Sequence, residues 1–267
     1  MMINYLFSDL DGTLLNPAGV VSQTNIAAIK AKELPMTLVS ARAPIEMLAP
    51  IKALDLTGPQ IAFNGGLVFT YEDNVIKPLQ IHPLAQQRAR MLLAFVSETF
   101  SDVSLSCYTQ DNWYTERIDR GVLAEQALTG QSPIITSYEQ LLADEDNACF
   151  KIMMMSLDVE KLSQLATALK QLDYQDISVK LSGQTYLEVT SKQAQKSSGI
   201  AFIKDYYHLE TATTAAFGDG ENDLPMFESV GTAIVMANAM PEIQRVGQWV
   251  TKSNAEDGVA HALKTYL

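Results

Sequence analysis

The sequence predicts an α/β protein: a Rossmann-like doubly wound parallel sheet core carrying an inserted α+β domain. Short apolar runs alternate with segments of helical period in the first third of the chain, and the alternation returns at Lys196. Several of these runs stop at residues suited to chemistry, as parallel strands do where their carboxyl ends meet a crevice. Between them lies a strand-rich stretch with hairpin signals and a different character.

The first run, Tyr5-Leu6-Phe7-Ser8, reads as a buried strand that delivers Asp9, and Gly12 lets the chain turn just beyond it. Asn16-Pro17-Ala18-Gly19 signals a small hairpin or flap. Ser22 is placed to cap a helix through Ile26 and Ile29. Met36 to Val39 is a second strand, ending at Ser40-Ala41-Arg42, and Pro44 opens a helix with Ile45, Leu48, Ile51 and Leu54 on one face. Gln60 to Phe63 is a third strand, followed by a hairpin around Glu72-Asp73-Asn74. After His82-Pro83 come a helix over Leu84 to Phe100, paired strands at Val103–Cys107 and Trp113–Glu116, and a helix over Gly121–Leu128. A strand over Phe150–Leu157, an amphipathic helix over Val159–Leu172 and a hairpin around Ser182-Gly183-Gln184 complete the insert. The Met153-Met154-Met155 triplet reads as core packing in preference to a ligand surface. From Lys196 follow a helix, a strand over Thr213–Phe217, the loop Gly218-Asp219-Gly220-Glu221-Asn222-Asp223, a strand over Thr232–Met236 and a closing helix. The expected division is a core of residues 1–82 and 189–267 with an insert of residues 83–188.

With 267 residues, 47% hydrophobic and 19% charged, the chain is long enough for two modest domains and is globular. A net charge of −12 argues against nucleic acid or an anionic membrane as partner. Cys107 and Cys149 do not make a disulfide framework, and they read as reduced thiols of a cytoplasmic protein, a single bridge between them being the alternative. The start of the chain lacks a basic region ahead of its apolar run, so it does not read as a signal peptide, and no apolar run approaches a membrane span. A monomer or weak dimer is the expectation for so acidic a chain.

Asp9 and Asp11 are too close to be desolvated without a cation or a proton between them. Oxygen-only ligands at this spacing suit a hard divalent ion, Mg²⁺ before Zn²⁺. Taken alone, Asp11-Gly12 reads equally well as a plain turn. The balance shifts because Asp9 with Asp11, Ser40 with Arg42, Lys196 and the acidic loop Asp219–Asp223 all fall at ends that a parallel sheet brings to one crevice.

Those residues carry a family resemblance. Asp9-Leu10-Asp11-Gly12-Thr13 resembles the first motif of the haloacid dehalogenase superfamily, Ser40 its second, Lys196 its third and Gly218-Asp219-x-x-Asn222-Asp223 its fourth. The order and the large insert are similar to the Cof-type phosphatase branch, in which an α/β cap domain selects the substrate. One departure is Ser40-Ala41-Arg42 in place of the branch's common Thr-Gly-Arg.

The resemblance implies a Mg²⁺-dependent phosphatase of small phosphate monoesters, sugar phosphates among them. Asp9 would be the nucleophile, Asp11 the general acid and base, and Lys196 the cation that neutralises the phosphoryl group. The metal ligands would be the Asp9 and Asp219 carboxylates with the Asp11 carbonyl. Ser40 would hold phosphoryl oxygens, assisted by backbone N–H groups around Leu10 and Ala41; Asn222 would touch phosphate or substrate. Asp223 would orient Lys196 or a metal-bound water, its rival role being an exposed helix cap. Arg42 would contact substrate or form a structural ion pair. Within the insert, Tyr108, Trp113, Tyr114, Arg117 and Tyr186 are candidates for substrate choice, with core packing as the rival for each. A phosphomutase and a non-catalytic metabolite sensor on the same fold are the alternative functions.

Overall fold

A computed structural model describes residues 2–267. The chain begins with β1 (Tyr5–Ser8), the acidic turn after it, α1 (Gln23–Lys32), β2 (Met36–Leu38), α2 (Pro44–Ala53), β3 (Gln60–Ala62), β4 (Leu67–Glu72) and β5 (Val75–Ile81). It continues through α3 (Gln86–Thr99), β6 (Ser104–Tyr108), β7 (Trp113–Thr115), α4 (Arg120–Thr129), β8 (Ile134–Ile135), α5 (Tyr138–Leu141), β9 (Lys151–Met155), α6 (Val159–Gln171), β10 (Ile177–Ser182) and β11 (Tyr186–Ser191). The last part holds α7 (Lys196–Tyr207), β12 (Thr214–Gly218), α8 (Leu224–Glu228), β13 (Thr232–Val235), α9 (Pro241–Gln244), β14 (Trp249–Val250) and α10 (Gly258–Thr265).

Two compact units result. One comprises the chain up to Arg42, Met47–Gln80 and Gln195–Leu267; the other comprises Ala43–Glu46 and Ile81–Ala194. The expected insert boundary at residue 188 falls inside β11, whose pairing with β10 runs on to Ser191. Strand pairing carries the second unit past the point where the sequence pattern changes.

The first unit is built on a sheet of order β14-β13-β12-β1-β2, with every neighbouring pair parallel. From β1 the chain moves to β2 on one side, and after the long excursion it returns to β12 on the other. That reversal beside β1 is a topological switch point, where an open α/β sheet leaves a crevice at its carboxyl ends. Tyr5 and Phe7 point to one face, packed with Ile200 and Ile203 of α7 and Met226 and Phe227 of α8. Leu6 and Leu38 are fully buried on the other face. α1 starts where Ser22 Oγ accepts from Asn25 N, and Asn25 Oδ1 then accepts from Ala260 N to tie α1 to α10.

The expected third strand of this sheet is only half realised. β3 pairs antiparallel with β4 in a separate sheet of order β3-β4-β5, and the single bridge Val39–Ile61 joins it to the end of β2. In α2 the fully buried positions are Met47 and Ile51, followed by Leu54, whereas Ile45 and Leu48 are half-buried; the apolar face is rotated from the expected one.

The second unit holds a sheet of order β10-β11-β9-β6-β7-β8, antiparallel except for β7 with β8. One face is apolar: Leu105, Cys107, Ile152, Met154, Leu187 and Val189 pack with α3 and α6. Leu162, Leu165 and Leu169 of α6 are buried there, each contributing about 1.5–3 kcal/mol of transfer free energy. Asp158 accepts from Lys161 N and caps that helix. The Cys107 and Cys149 thiols lie within the same core with their sulfurs 3.2 Å apart, both reduced. Among the described residues, no helix is long and apolar enough to cross a membrane.

Candidate active site

The carboxyl ends of β1, β2, β12 and β13 carry the polar residues of the crevice. Asp9 follows β1 directly, and its N–H donates to Phe217 O of β12, which fixes the backbone at the switch point. The next residues form one tight turn closed by Leu15 N donating to Leu10 O, with Leu10 fully buried. Gly12 takes φ +75°, and a Cβ there would fall 2.2 Å from Asp219 Oδ2. Only glycine lets the turn press this closely on the second acidic strand end.

Lys196, the first residue of α7, is fully buried and lies between two carboxylates. Its Nζ donates to Asp9 Oδ1 at 2.5 Å and to Asp223 Oδ1 at 2.7 Å. Asp223 has no exposed surface; its Oδ2 accepts from Asp219 N and Gly220 N, each at 2.9 Å. Its role as an exposed helix cap is therefore excluded: it orients Lys196 and shapes the acidic loop. Gly65 places Lys196 from the other side. At φ +96° it approaches Gln195 so closely that a Cβ would lie 2.0 Å from the Gln195 carbonyl oxygen.

Asp219 Oδ1 accepts from Thr13 Oγ1 at 3.1 Å, and Asp219 Oδ2 accepts from Asn238 Nδ2 at 3.0 Å. The same Asn238 amide donates to Gly12 O at 2.8 Å. Burial pushes the Asp219 carboxyl up to about 6. Burial also raises Asp9, against the opposing pull of the Lys196 ammonium. Thr13 and Asn238 were not among the expected site residues. Asn238 lies just past β13, so the strand-end rule that found Asp219 also applies to it.

Ser40 is buried, with its Oγ accepting from Arg42 N at 3.1 Å, and Ala41 between them is half-buried. Asn222 Nδ2 donates to Asn64 Oδ1 at 3.4 Å, bringing the Asn64-Gly65 turn to the same crevice. Asp11 differs most from expectation. Its side chain is 59% exposed and is held by Arg42, whose Nε and Nη2 donate to the two carboxylate oxygens at 2.8 and 2.6 Å. The Asp11 carboxylate is thus engaged by the Arg42 guanidinium.

Asp9, Asp219 and Asp223 each place a carboxylate oxygen within 4.8 Å of the others. Three carboxylates against one buried ammonium leave two negative charges when all are ionised, which a divalent cation balances. The donors are all oxygen, the set a hard ion takes. Asp223 is already committed to Lys196 and two amides, so Asp9 and Asp219 have more capacity left for a metal.

The chain is similar to known phosphatases. A Haemophilus influenzae protein is 30% identical over 99% of this chain and 98% of its own. The 5-amino-6-(5-phospho-D-ribitylamino)uracil phosphatase YwtE of Bacillus subtilis is 28% identical over 97% of this chain and 96% of its own. The HMP-PP phosphatase of Yersinia pseudotuberculosis is 26% identical over 97% and 93% respectively. A solved structure of a Thermotoga maritima protein, at 23% identity, matches the fold with a TM-score of 0.87 over 100% of this chain and 98% of its own. Fold, site and relatives define an enzyme of the phosphoric monoester hydrolase class. The sequence model of the haloacid dehalogenase-like hydrolases matches residues 6–263, and the chain belongs to that family.

Proposed function

We propose that this protein is a Mg²⁺-dependent phosphatase of small phosphorylated metabolites that works through an aspartyl-phosphate at Asp9. The observation that carries the reading is the Asp9 carboxylate at the switch point, buried, 2.5 Å from Lys196 and two residues before a second aspartate. The Asp9 and Asp219 carboxylates and the Asp11 carbonyl would hold the metal. When bound, Mg²⁺ supplies the positive charge that lets a carboxylate approach a phosphate dianion.

Asp9 attacks phosphorus, the ester P–O bond breaks, and the leaving alkoxide takes its proton from Asp11. Asp11 then takes a proton from water as that water attacks phosphorus, and the Asp9–phosphorus bond breaks to release phosphate. To carry a proton Asp11 has to loosen its two bonds to Arg42, so Arg42 sets where the acid stands between steps. Lys196, held by Asp223, keeps Asp9 oriented and offsets charge on the phosphoryl oxygens. Ser40 Oγ, Asn222 and the backbone around Leu10 and Ala41 receive the remaining phosphoryl oxygens. The second unit, the cap, supplies substrate choice. The substrates for which two relatives are named, phosphorylated small molecules, support that class. The two reduced thiols support a cytoplasmic setting.

The test is phosphate release from a panel of phosphate monoesters, with Mg²⁺ and with excess chelator. Metal-dependent release from at least one ester supports the reading. An isomerised sugar phosphate with little free phosphate would replace it with a mutase, and tight ligand binding without turnover would replace it with a sensor.

A further inference from the structure

The parallel sheet of the first unit has a second concavity, at the opposite end from Asp9. A cavity of about 660 Å³ opens where β1 and β2 begin and α1, α2 and α7 end. Sites for small molecules have volumes of about 300–1,000 Å³. Ile29, Met36 and Leu54 are its buried apolar walls, Tyr5 is its floor, and Tyr207 and Leu209 close it from the end of α7. All of these residues belong to the first unit. Tyr5 opens β1 and Ser8 ends it, so about 10 Å of strand separates the cavity from the crevice.

Buried hydrogen bonds hold the cavity open. The Tyr5 hydroxyl bonds to Thr37 Oγ1 at 2.8 Å, and Thr37 Oγ1 donates to Pro59 O at 2.8 Å. Gln60 Nε2 donates to Gly58 O at 3.0 Å, and Gln60 Oε1 accepts from Leu38 N at 2.7 Å. The loop after α2, which forms one wall, is pinned to β2 by these bonds. Gly58 leaves room for Tyr207, since a Cβ there would lie 3.1 Å from the Tyr207 hydroxyl. The Tyr207 ring is braced in turn, 5.6 Å from the Tyr5 ring and 4.9 Å from the Tyr206 ring. A cavity with preset walls binds without the entropy cost of ordering them.

Charge decides what fits. Glu33 after α1, Asp55 after α2 and His208 after α7 all take left-handed backbone, with φ of 54°, 55° and 54°, and so bring three helix C-termini to one place. Each such end carries about half a negative elementary charge. Among the described residues, Lys30 is the one cation on the lining, and it is paired with Asp55. Lys52 turns away over the Tyr71 ring, and Lys204 donates to Thr211 and Ser229. The Glu33 carboxylate and the three helix ends therefore set the sign of the field. We propose that this cavity is a second ligand site and takes an organic cation, an ammonium on an aromatic body. The ammonium would lie by Glu33 and the helix ends, and the body against Tyr5, Tyr207 and Leu209, whose rings and apolar surface suit it. The proposal does not depend on the phosphatase reading.

The experiment is calorimetric titration of the full chain in Mg²⁺ with phenethylamine and with 3-phenylpropionate, a carboxylate of similar shape. Phenethylamine is expected to saturate one site and to bind about tenfold or more tighter than 3-phenylpropionate. Glu33→Gln should weaken phenethylamine by about fivefold or more. Thr57→Trp, which fills the cavity from an exposed wall, should abolish its binding. The crevice carboxylates also attract an ammonium, so Asp9→Asn is the control, and it should leave the affinity unchanged. Four results would overturn the proposal: no saturable binding of phenethylamine, equal affinity for the two probes, binding indifferent to Glu33→Gln, or binding lost in Asp9→Asn.

Discussion

Replacing Asp223 by Asn divides the two tasks of its carboxylate. Oδ1 accepts from the Lys196 ammonium and Oδ2 accepts from two backbone N–H groups. Asparagine keeps the shape but has a single oxygen. If that oxygen faces the amides, the new NH₂ faces the ammonium; if it is flipped, the NH₂ faces two backbone donors. With no exposed surface at Asp223, water does not relieve either clash. Breaking one side of a buried ion pair is destabilising by about 3–5 kcal/mol, and since Lys196 keeps Asp9 the expected loss is near the lower end. Urea unfolding is the assay, and a loss of about 3 kcal/mol corresponds to a thermal midpoint lower by about 6–12 °C. The comparison is Asp55→Asn, which breaks the exposed Lys30–Asp55 pair and should cost under about 1 kcal/mol. Equal, small losses for both substitutions would refute the reasoning that Lys196 is held by buried partners.

Other consequences are open to direct measurement. Asn238→Ala removes a donor from both Asp219 and the Gly12 carbonyl, so the Mg²⁺ concentration for half-maximal activity should rise about tenfold or more, as for other groups that orient metal ligands. Gly65→Ala puts a methyl group into the Gln195 carbonyl at a positive φ; activity should fall together with stability, because the start of α7 and Lys196 have to move. Arg42→Lys replaces a planar two-donor fork with a single ammonium on Asp11, and kcat should fall by more than KM changes. Cys107 and Cys149 should resist a thiol reagent in the folded protein and react once urea unfolds it, since both are buried, and the hydrogen bond with Cys149 together with burial raises the Cys107 thiol.

Much of the crevice was legible in the sequence because strand ends carry their chemistry in the first residues after an apolar run. Asp9, Ser40 and Asp219 are all of that kind. Asn238 obeys the same rule, but an Asn in Met236-Ala237-Asn238 lacks the flanking Gly and acidic residues that drew attention to Asp219. The Asp11–Arg42 pair was out of reach, because spacing says nothing of which way a side chain leaves a tight turn. The alternation of strand and helix puts β3 in the parallel sheet, whereas its neighbour is decided by the hairpin that follows, which takes β3 into a separate sheet. β8 and α5 went unseen because two exposed isoleucines and a single helical turn show no period. In the second unit, Tyr108, Trp113 and Tyr114 looked alike until strand register assigned them to faces.

The central claim is that Asp9 carries the phosphoryl group between two half-reactions. It is tested most directly by mixing the enzyme with a hydrolysed ester and Mg²⁺, quenching in acid within a turnover, and digesting for mass analysis. The account predicts a phosphoryl group on the peptide that contains Asp9, absent in Asp9→Asn and in chelator. Full turnover with no phosphorylated Asp9 at any quench time, or undiminished turnover by Asp9→Asn, would contradict it.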